Sequence, residues 1–202
     1  MNSFQTANQD TIATANFSDE VAVKLSALAN AGGGILLIGI KDNGKVVGIN
    51  PEAVKNQLTL INEKKCVPSL QIATKALQMD MKFVLEVTIA PPTEKPVLAL
   101  DVTNGRTAYY RLENTVFPLS KIIVGLWNLQ RKEGSIQALS ADLDTVQTSL
   151  FDLFEGDTRM TLSQLYKLLA LEKSLIDKSL IQLMYKGFVD FEMGETMRYF
   201  RK

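Results

Sequence analysis

The apolar positions along the chain change period several times, and each change marks an element. Val21, Leu25 and Leu28 recur at helical spacing behind Ser18-Asp19-Glu20, a capping hydroxyl followed by acids in the positively polarised first turn. Asn30-Ala31-Gly32 stops that helix. Gly34–Ile40 is a nearly continuous apolar run, the pattern of a strand buried on both faces. Asp42-Asn43-Gly44-Lys45 signals a tight turn, and Val46–Ile49 reads as the returning arm of a hairpin. Asn50-Pro51-Glu52 opens a second helix with the stripe Val54, Leu58 and Ile61, and Lys64-Lys65 sit at its negatively polarised end. The period then turns to two: strands are predicted over Leu70–Leu77, Lys82–Ala90, Val97–Val102 and Thr107–Leu112, separated by Pro91-Pro92, Pro96 and Asn104-Gly105. A helix over Leu119–Leu129, carrying Ile122, Ile123, Leu126 and Trp127, closes an α+β or α/β unit placed at residues 1–130.

Residues 131–144 are more polar and read as a linker. Beyond them, over 145–202, Val146, Leu150, Leu153 and Phe154 form one amphipathic helix ended by Gly156. Thr161 to Gln164 resembles a capping box ahead of Leu162, Leu165, Leu168 and Leu169. Ser174 is expected to cap a third helix with Ile176, Leu180, Leu183 and Met184 inward and Gly187 past its end. Phe188–Phe200 reads as a hairpin turning near Met193-Gly194-Glu195. Three helices and a hairpin are the winged-helix pattern, a helix-turn-helix variant.

Composition narrows the chemistry. The 202 residues carry 22 basic and 22 acidic side chains, so no global positive excess draws the chain to phosphate. With no histidine, His-based acid–base catalysis, Ser-His-Asp or Cys-His nucleophiles and His-containing zinc sites are excluded. The single cysteine, Cys66, rules out an internal disulfide and a cysteine-rich metal cage. No signal-peptide pattern opens the chain and no apolar run approaches a bilayer span, so a cytoplasmic protein without membrane contact is expected.

The stretch LANAGGGILLIGIKDNGKVVGI, Leu28–Ile49, resembles the Schlafen AlbA-type domain, marked by A-F-A-N-x-x-G-G-x-L-x-I-G-V-x-D-x-G-x-V-x-G. Lys95-Pro96-Val97 before a strand and Tyr109-Tyr110-Arg111-Leu112 near the unit's end also match, and the resemblance runs from about Phe4 to Leu129. The second unit is similar to the winged helices that follow such domains in bacterial regulators. The resemblance implies a mixed sheet with flanking helices, nucleic-acid binding and, in some members, metal-dependent RNA cleavage. The family's acidic element, E-x-F-K or E-F-K ahead of the first helix, has its counterpart at Ser3-Phe4-Gln5, where neither the glutamate nor the lysine is present. Asp42 alone is a poor divalent-metal site, so no enzyme activity, metal or cofactor is expected.

Gly32–Gly34 could offer amides to a phosphate, but they follow a helix and precede a strand, the reverse of a P-loop, with no G-K-[ST] behind them. A helix C-cap leading tightly into a buried strand is the favoured reading. Lys41 and Lys45 flank the turn and, with Arg106 and Arg111, could grip a phosphate backbone; the alternative is ordinary solvated charge. Asp42 and Asn43 are also simple turn formers. In the second unit, Lys173, Lys178, Ser179 and Gln182 on the third helix and Arg198 and Arg201 on the hairpin are the candidate reading residues. Residues 1–134 hold 14 basic against 12 acidic side chains and residues 135–202 hold 8 against 10, so a binding surface must come from segregation of charge. The expectation is a non-enzymatic DNA-binding transcriptional regulator, DNA ahead of RNA, acting as a homodimer. A nuclease using Asp42 with Glu86 or Asp101, and a protein-interaction scaffold, are the alternatives.

Overall fold

The computed structural model describes residues 9–12, 17–100, 105–134, 142–193 and 196–202. It divides into two units, Met1–Leu119 and Ser120–Lys202. The first is built on β1 (Gln9–Ile12), α1 (Phe17–Asn30), β2 (Gly34–Ile38), α2 (Pro51–Lys65), β3 (Cys66–Val67), β4 (Ile72–Met79), β5 (Lys82–Ile89), β6 (Leu98–Leu100), β7 (Arg106–Leu112) and β8 (Thr115–Pro118). One four-stranded sheet has the order β1-β2-β5-β4 and the other β3-β6-β7-β8. β1 lies parallel to β2; every other strand pair in the two sheets is antiparallel.

Helix α1 packs against strands of both sheets and against α2. Val21, Ala22, Leu25, Ala27, Leu28 and Ala29 are all fully buried, as required of a helix covered on every side. Leu36 and Ile38 of β2 join them with Leu85, Val87 and Ile89 of β5 and with Val54, Leu58 and Ile61 of α2. At roughly 1.5–3 kcal/mol per fully buried large aliphatic side chain, this cluster is the main favourable term of the unit. The Asn50 side chain caps α2 by accepting from Ala53 N at 3.2 Å, and Pro51 occupies the first turn, as the pattern predicts.

The predicted hairpin after β2 is not formed as a strand pair. Ile40 bridges Val46 and Val47 N donates to Gly39 O at 2.9 Å, but the returning arm forms no ladder along β2, and Ile49 N donates instead to Phe83 O at 2.9 Å. The reason is that both edges of β2 are already occupied, one by β1 and the other by β5. β1, β3 and β8 have no counterpart among the predicted strands, being two to four residues long and weakly patterned.

Two polar residues of α1 hold the second sheet in place. The Asn30 amide accepts from Val97 N at 2.9 Å and donates to Val97 O at 2.9 Å and Tyr109 O at 2.7 Å. Ser26 Oγ donates to Val97 O at 2.8 Å and accepts from Tyr109 N at 3.1 Å. Lys95 Nζ donates to Asn30 O at 2.7 Å, a cation on the negatively polarised end of the helix; burial pushes its pKa below the usual lysine range. The A-N, K-P-V and Y-Y-R-L stretches, distant in the chain, therefore meet at one point. The glycines beside it serve the backbone: Gly32 N and Gly33 N donate to Ala29 O and Leu28 O, closing the helix. A Cβ on Gly33 would lie 2.7 Å from Ile89 O, so this close approach to β5 requires glycine.

The second unit contains α3 (Lys121–Glu133), α4 (Thr145–Asp152), α5 (Leu162–Leu168), α6 (Lys173–Tyr185) and the antiparallel pair β9 (Val189–Glu192) and β10 (Arg198–Arg201). The apolar pattern assigned α3 to the first domain; in the structure its partner is α6, approached so closely that a Cβ at Gly125 would overlap Ile181. Asp144 caps α4, and Thr161 with Gln164 forms the expected capping box of α5. Ser174 is not the cap of α6: the cap position is Glu172, whose carboxylate accepts from Ser174 Oγ at 2.6 Å. The expected tip at Gly194-Glu195 lies outside the described residues.

Asn30→Ala removes three hydrogen bonds to buried backbone groups at once. With each unsatisfied buried group costing roughly 1–3 kcal/mol, a loss of about 3 kcal/mol or more in unfolding free energy is expected by urea denaturation. A loss under about 1 kcal/mol would remove the residue from this role.

Candidate nucleic-acid interface

The Lys41–Lys45 turn is held rigidly from within. Gly44 N donates to Lys41 O at 2.8 Å, Lys41 N to Lys45 O at 3.0 Å, and Lys45 N to the Asn43 side chain at 3.1 Å. Gly44 takes a φ of +80°, which this turn needs and glycine supplies. The turn is tied to β1 by Thr11 Oγ1, which donates to Asp42 Oδ1 at 2.9 Å. Lys41 and Lys45 themselves stand exposed, and nothing in the turn consumes their ammonium groups.

Behind the turn lies a buried charge cluster that the sequence reading did not contain. Asp10 of β1 pairs through Oδ2 with Arg111 Nη1 at 2.8 Å and through Oδ1 with Lys24 Nζ at 2.8 Å. Lys24 also lies 3.2 Å from Glu20 and 4.0 Å from Asp42. The Lys24 ammonium thus pairs closely with Asp10 and Glu20, while Asp42, largely exposed, lies at the outer edge of its reach. Ser3-Phe4-Gln5, the counterpart of the family's acidic element, lies outside the described residues; β1 begins at Gln9 and presents Asp10, an acid that the motif comparison did not single out. The missed signal is positional, since a strand pairing in parallel with β2 must end a few residues before α1.

Arg111 is likewise corrected. It is 6% exposed with its guanidinium committed to Asp10, so it is an internal counter-ion and not a surface phosphate contact. Arg106 is exposed at the start of β7, on the other sheet from the lysine turn. Glu86, a proposed partner of Asp42 in metal binding, lies in the middle of β5 opposite Lys75 and Leu37. Asp101 lies outside the described residues. Among the described residues no three His, Cys, Asp or Glu side chains gather as a metal site.

In the second unit, Ser179 is 4% exposed and faces the core, so it is removed from the reading set. Gln182 is half-buried, Lys178 and Arg198 are exposed, Lys173 lies over the Tyr166 ring at 5.4 Å and Arg201 over Phe151 at 4.3 Å. Asp177 of α6 accepts from Tyr166 Oη and pairs with Lys121; that hydrogen-bonded carboxylate holds the Lys121 ammonium above its ordinary range. Burial raises the Tyr166 phenol.

A helix locked by its C-terminal Ser and Asn to a second sheet, followed by a glycine-led strand and a lysine-bearing turn, defines a mixed α+β domain of one particular class. The chain belongs to the Schlafen AlbA_2 family, whose model matches residues 5–120. No curated protein matches the chain. Among solved structures it is similar to the DIP2311 protein from Corynebacterium diphtheriae, with 16% identity and a TM-score of 0.46, over 74% of this chain and 30% of that one. It is also similar to the N-terminal domain of a RecG-related protein from Nitrosomonas europaea, with 22% identity and a TM-score of 0.41, over 55% of this chain and 81% of that one. Among the described residues no helix is long and apolar enough to cross a membrane.

Two outcomes check this assignment of roles. Arg111→Ala leaves a buried carboxylate short of a partner and is expected to cost about 3 kcal/mol in denaturation, whereas Arg106→Ala stays within about 0.5 kcal/mol. Cys66, buried at the end of α2, has its thiol pushed up to about 12 by burial. It therefore remains protonated at pH 8, and a thiol-titrating reagent is expected to label it only after denaturation.

Proposed function

We propose that the protein is a non-enzymatic nucleic-acid-binding protein, a DNA-binding transcriptional regulator whose first unit grips backbone phosphate. The observation that carries this reading is the pair of exposed lysines, Lys41 and Lys45, on an internally braced turn. A braced turn presents two cations at low entropic cost, which suits phosphate contact without sequence reading. Membership of the Schlafen AlbA_2 family supports the same reading, since nucleic-acid binding is what that resemblance implies. Arg106, exposed on the second sheet, is a further candidate phosphate contact apart from the lysine turn.

The second unit supplies the sequence-reading part of the proposal. Its order of helices α4, α5 and α6 followed by the β9–β10 pair agrees with a winged helix. Lys173 and Lys178 on α6 and Arg198 and Arg201 on β10 are then the contacts to nucleic acid, with Gln182 at the margin. One reading helix covers a half-site, so a homodimer on duplex DNA is part of the proposal. The reading of no catalysis is supported by Lys24, whose ammonium occupies Asp10 at 2.8 Å and Glu20 at 3.2 Å.

The test is the salt dependence of binding to duplex DNA, measured by fluorescence anisotropy. Binding is expected at low salt and to weaken as salt rises. Lys41→Ala and Lys45→Ala should each lower the log–log slope by about 0.9. Undetectable binding to DNA and RNA at low salt would sink the reading, and metal-dependent RNA cleavage abolished by Asp42→Ala would replace it with a nuclease.

A further inference from the structure

Strand β4 is the outer strand of the β1-β2-β5-β4 sheet, with β5 the one strand beside it. The turn between them fixes where its backbone groups point. Asp80 and Met81 form a two-residue turn with φ of +49° and +62°, so Met79 and Lys82 flank it as a hydrogen-bonded pair. Every second residue back along β4 then exchanges hydrogen bonds with β5. The parity holds at both ends: Ala90 N donates to Gln71 O at 3.3 Å, and Phe83 O, turned away from β4, accepts from Ile49 N at 2.9 Å. Ala73, Lys75, Leu77 and Met79 thus point their backbone groups at β5. Ile72, Thr74, Ala76 and Gln78 point theirs at the open edge, where no hydrogen bond reaches them among the described residues.

Nothing guards this edge. Natural sheets protect long open strands with proline, bulges or charge. The stretch IATKALQM spans eight residues without proline or glycine, and its register with β5 runs unbroken from Ile72 to Met79. Its one charge, Lys75, stands opposite Glu86 within the same sheet. The remaining open edges are short: β1 and β8 have four residues and β3 has two, while β10 is bridged at Tyr199 by Met160. Ala73, Ala76 and Gln78 are exposed, so small side chains flank the free backbone.

We propose that this edge receives a second copy of the chain, β4 against β4, antiparallel across a twofold axis. Such pairing joins outward-pointing residues only to outward-pointing residues, which leaves few registers. An axis at Lys75 sets two lysines directly opposite each other, a destabilising like-charge pair. An axis at Ala76 pairs Ala76 with itself, Thr74 with Gln78, Lys75 with Leu77 and Ala73 with Met79. That register uses nearly the whole strand and opposes no like charges, whereas axes at Thr74 or Leu77 shorten the overlap. The strand is therefore complementary to itself in one register, which is why the occupant is a second copy and not an arbitrary extended peptide. The two sheets join into one. The inference stands on backbone geometry, apart from the nucleic-acid reading, and gives the homodimer of that reading an interface.

Sedimentation equilibrium of the full chain, without nucleic acid, is expected to show a dimer. Ala76→Pro deletes an outward N–H and touches no bond to β5, so it should leave a monomer with the parent's circular dichroism spectrum. Ala76→Lys sets two ammonium groups at the axis and should also leave a monomer, should the proline variant fail to fold. Ala76→Cys tests the register: paired Cα atoms lie about 5.5 Å apart, so a short bismaleimide should link the two copies, with Cys66 buried and out of reach. A monomeric parent would overturn the proposal. A dimer that survives both Ala76→Pro and Ala76→Lys, or a dimeric Ala76→Cys that stays unlinked, would overturn it too and place the contact elsewhere. A parent that dimerises without binding DNA or RNA would support this interface and sink the nucleic-acid reading alone.

Discussion

Everything in the first unit is referred to the C-terminal turn of α1. That turn is buried on all sides, and Asn30 and Ser26 use their side chains to satisfy backbone groups of Val97 and Tyr109 that the second sheet leaves unpaired there. A buried amide with three partners is a strict geometric condition, because its donors and acceptor are fixed in one plane. It sets where the second sheet lies against the helix. The same turn ends in the glycines that send the chain into β2, and β2 in turn delivers the Lys41–Lys45 turn to the surface. A constraint at the centre of the unit thus sets the position of cations at its edge.

Charge in this molecule is sorted by burial. Equal totals of acid and base describe neither region well: the interior holds Asp10 between Arg111 and Lys24, with Glu20 also on Lys24, while Lys41, Lys45 and Arg106 stand at the surface. The buried pairs cannot be separated cheaply, since desolvation leaves either partner uncompensated. They position β1 and β7 on α1. The exposed lysines have no such duty and are available to a ligand.

The second unit has a different organisation, a small helical core around Leu150, Phe154, Leu165, Leu180 and Leu183 closed by the β9–β10 pair. Its surface cations lean on aromatic faces, Lys173 on Tyr166 and Arg201 on Phe151, which orders long side chains while leaving their heads in water.

Local chemistry made much of this legible in the sequence. The Pro51 helix start with its Asn50 cap, the Thr161 capping box, the buried strand after Gly34 and the period-two strands β4, β5 and β7 all follow from nearest-neighbour rules, and so they could be read from short windows. The A-N-x-x-G-G and D-x-G pattern was enough to place the chain in its family. What tertiary structure decided is wherever a residue's role depends on a partner far along the chain. Arg111 reads as a surface arginine until Asp10, a hundred residues earlier, is laid beside it; Ser179 reads as polar and outward until α6 turns it into the core; Val46–Ile49 reads as a hairpin arm until β1 and β5 have filled both edges of β2. Sequence alone determined the elements and the family, because propensity, capping and turn geometry act within a few residues. Only the folded chain decided which charges are structural and which are free, because burial and pairing are properties of distant segments brought together.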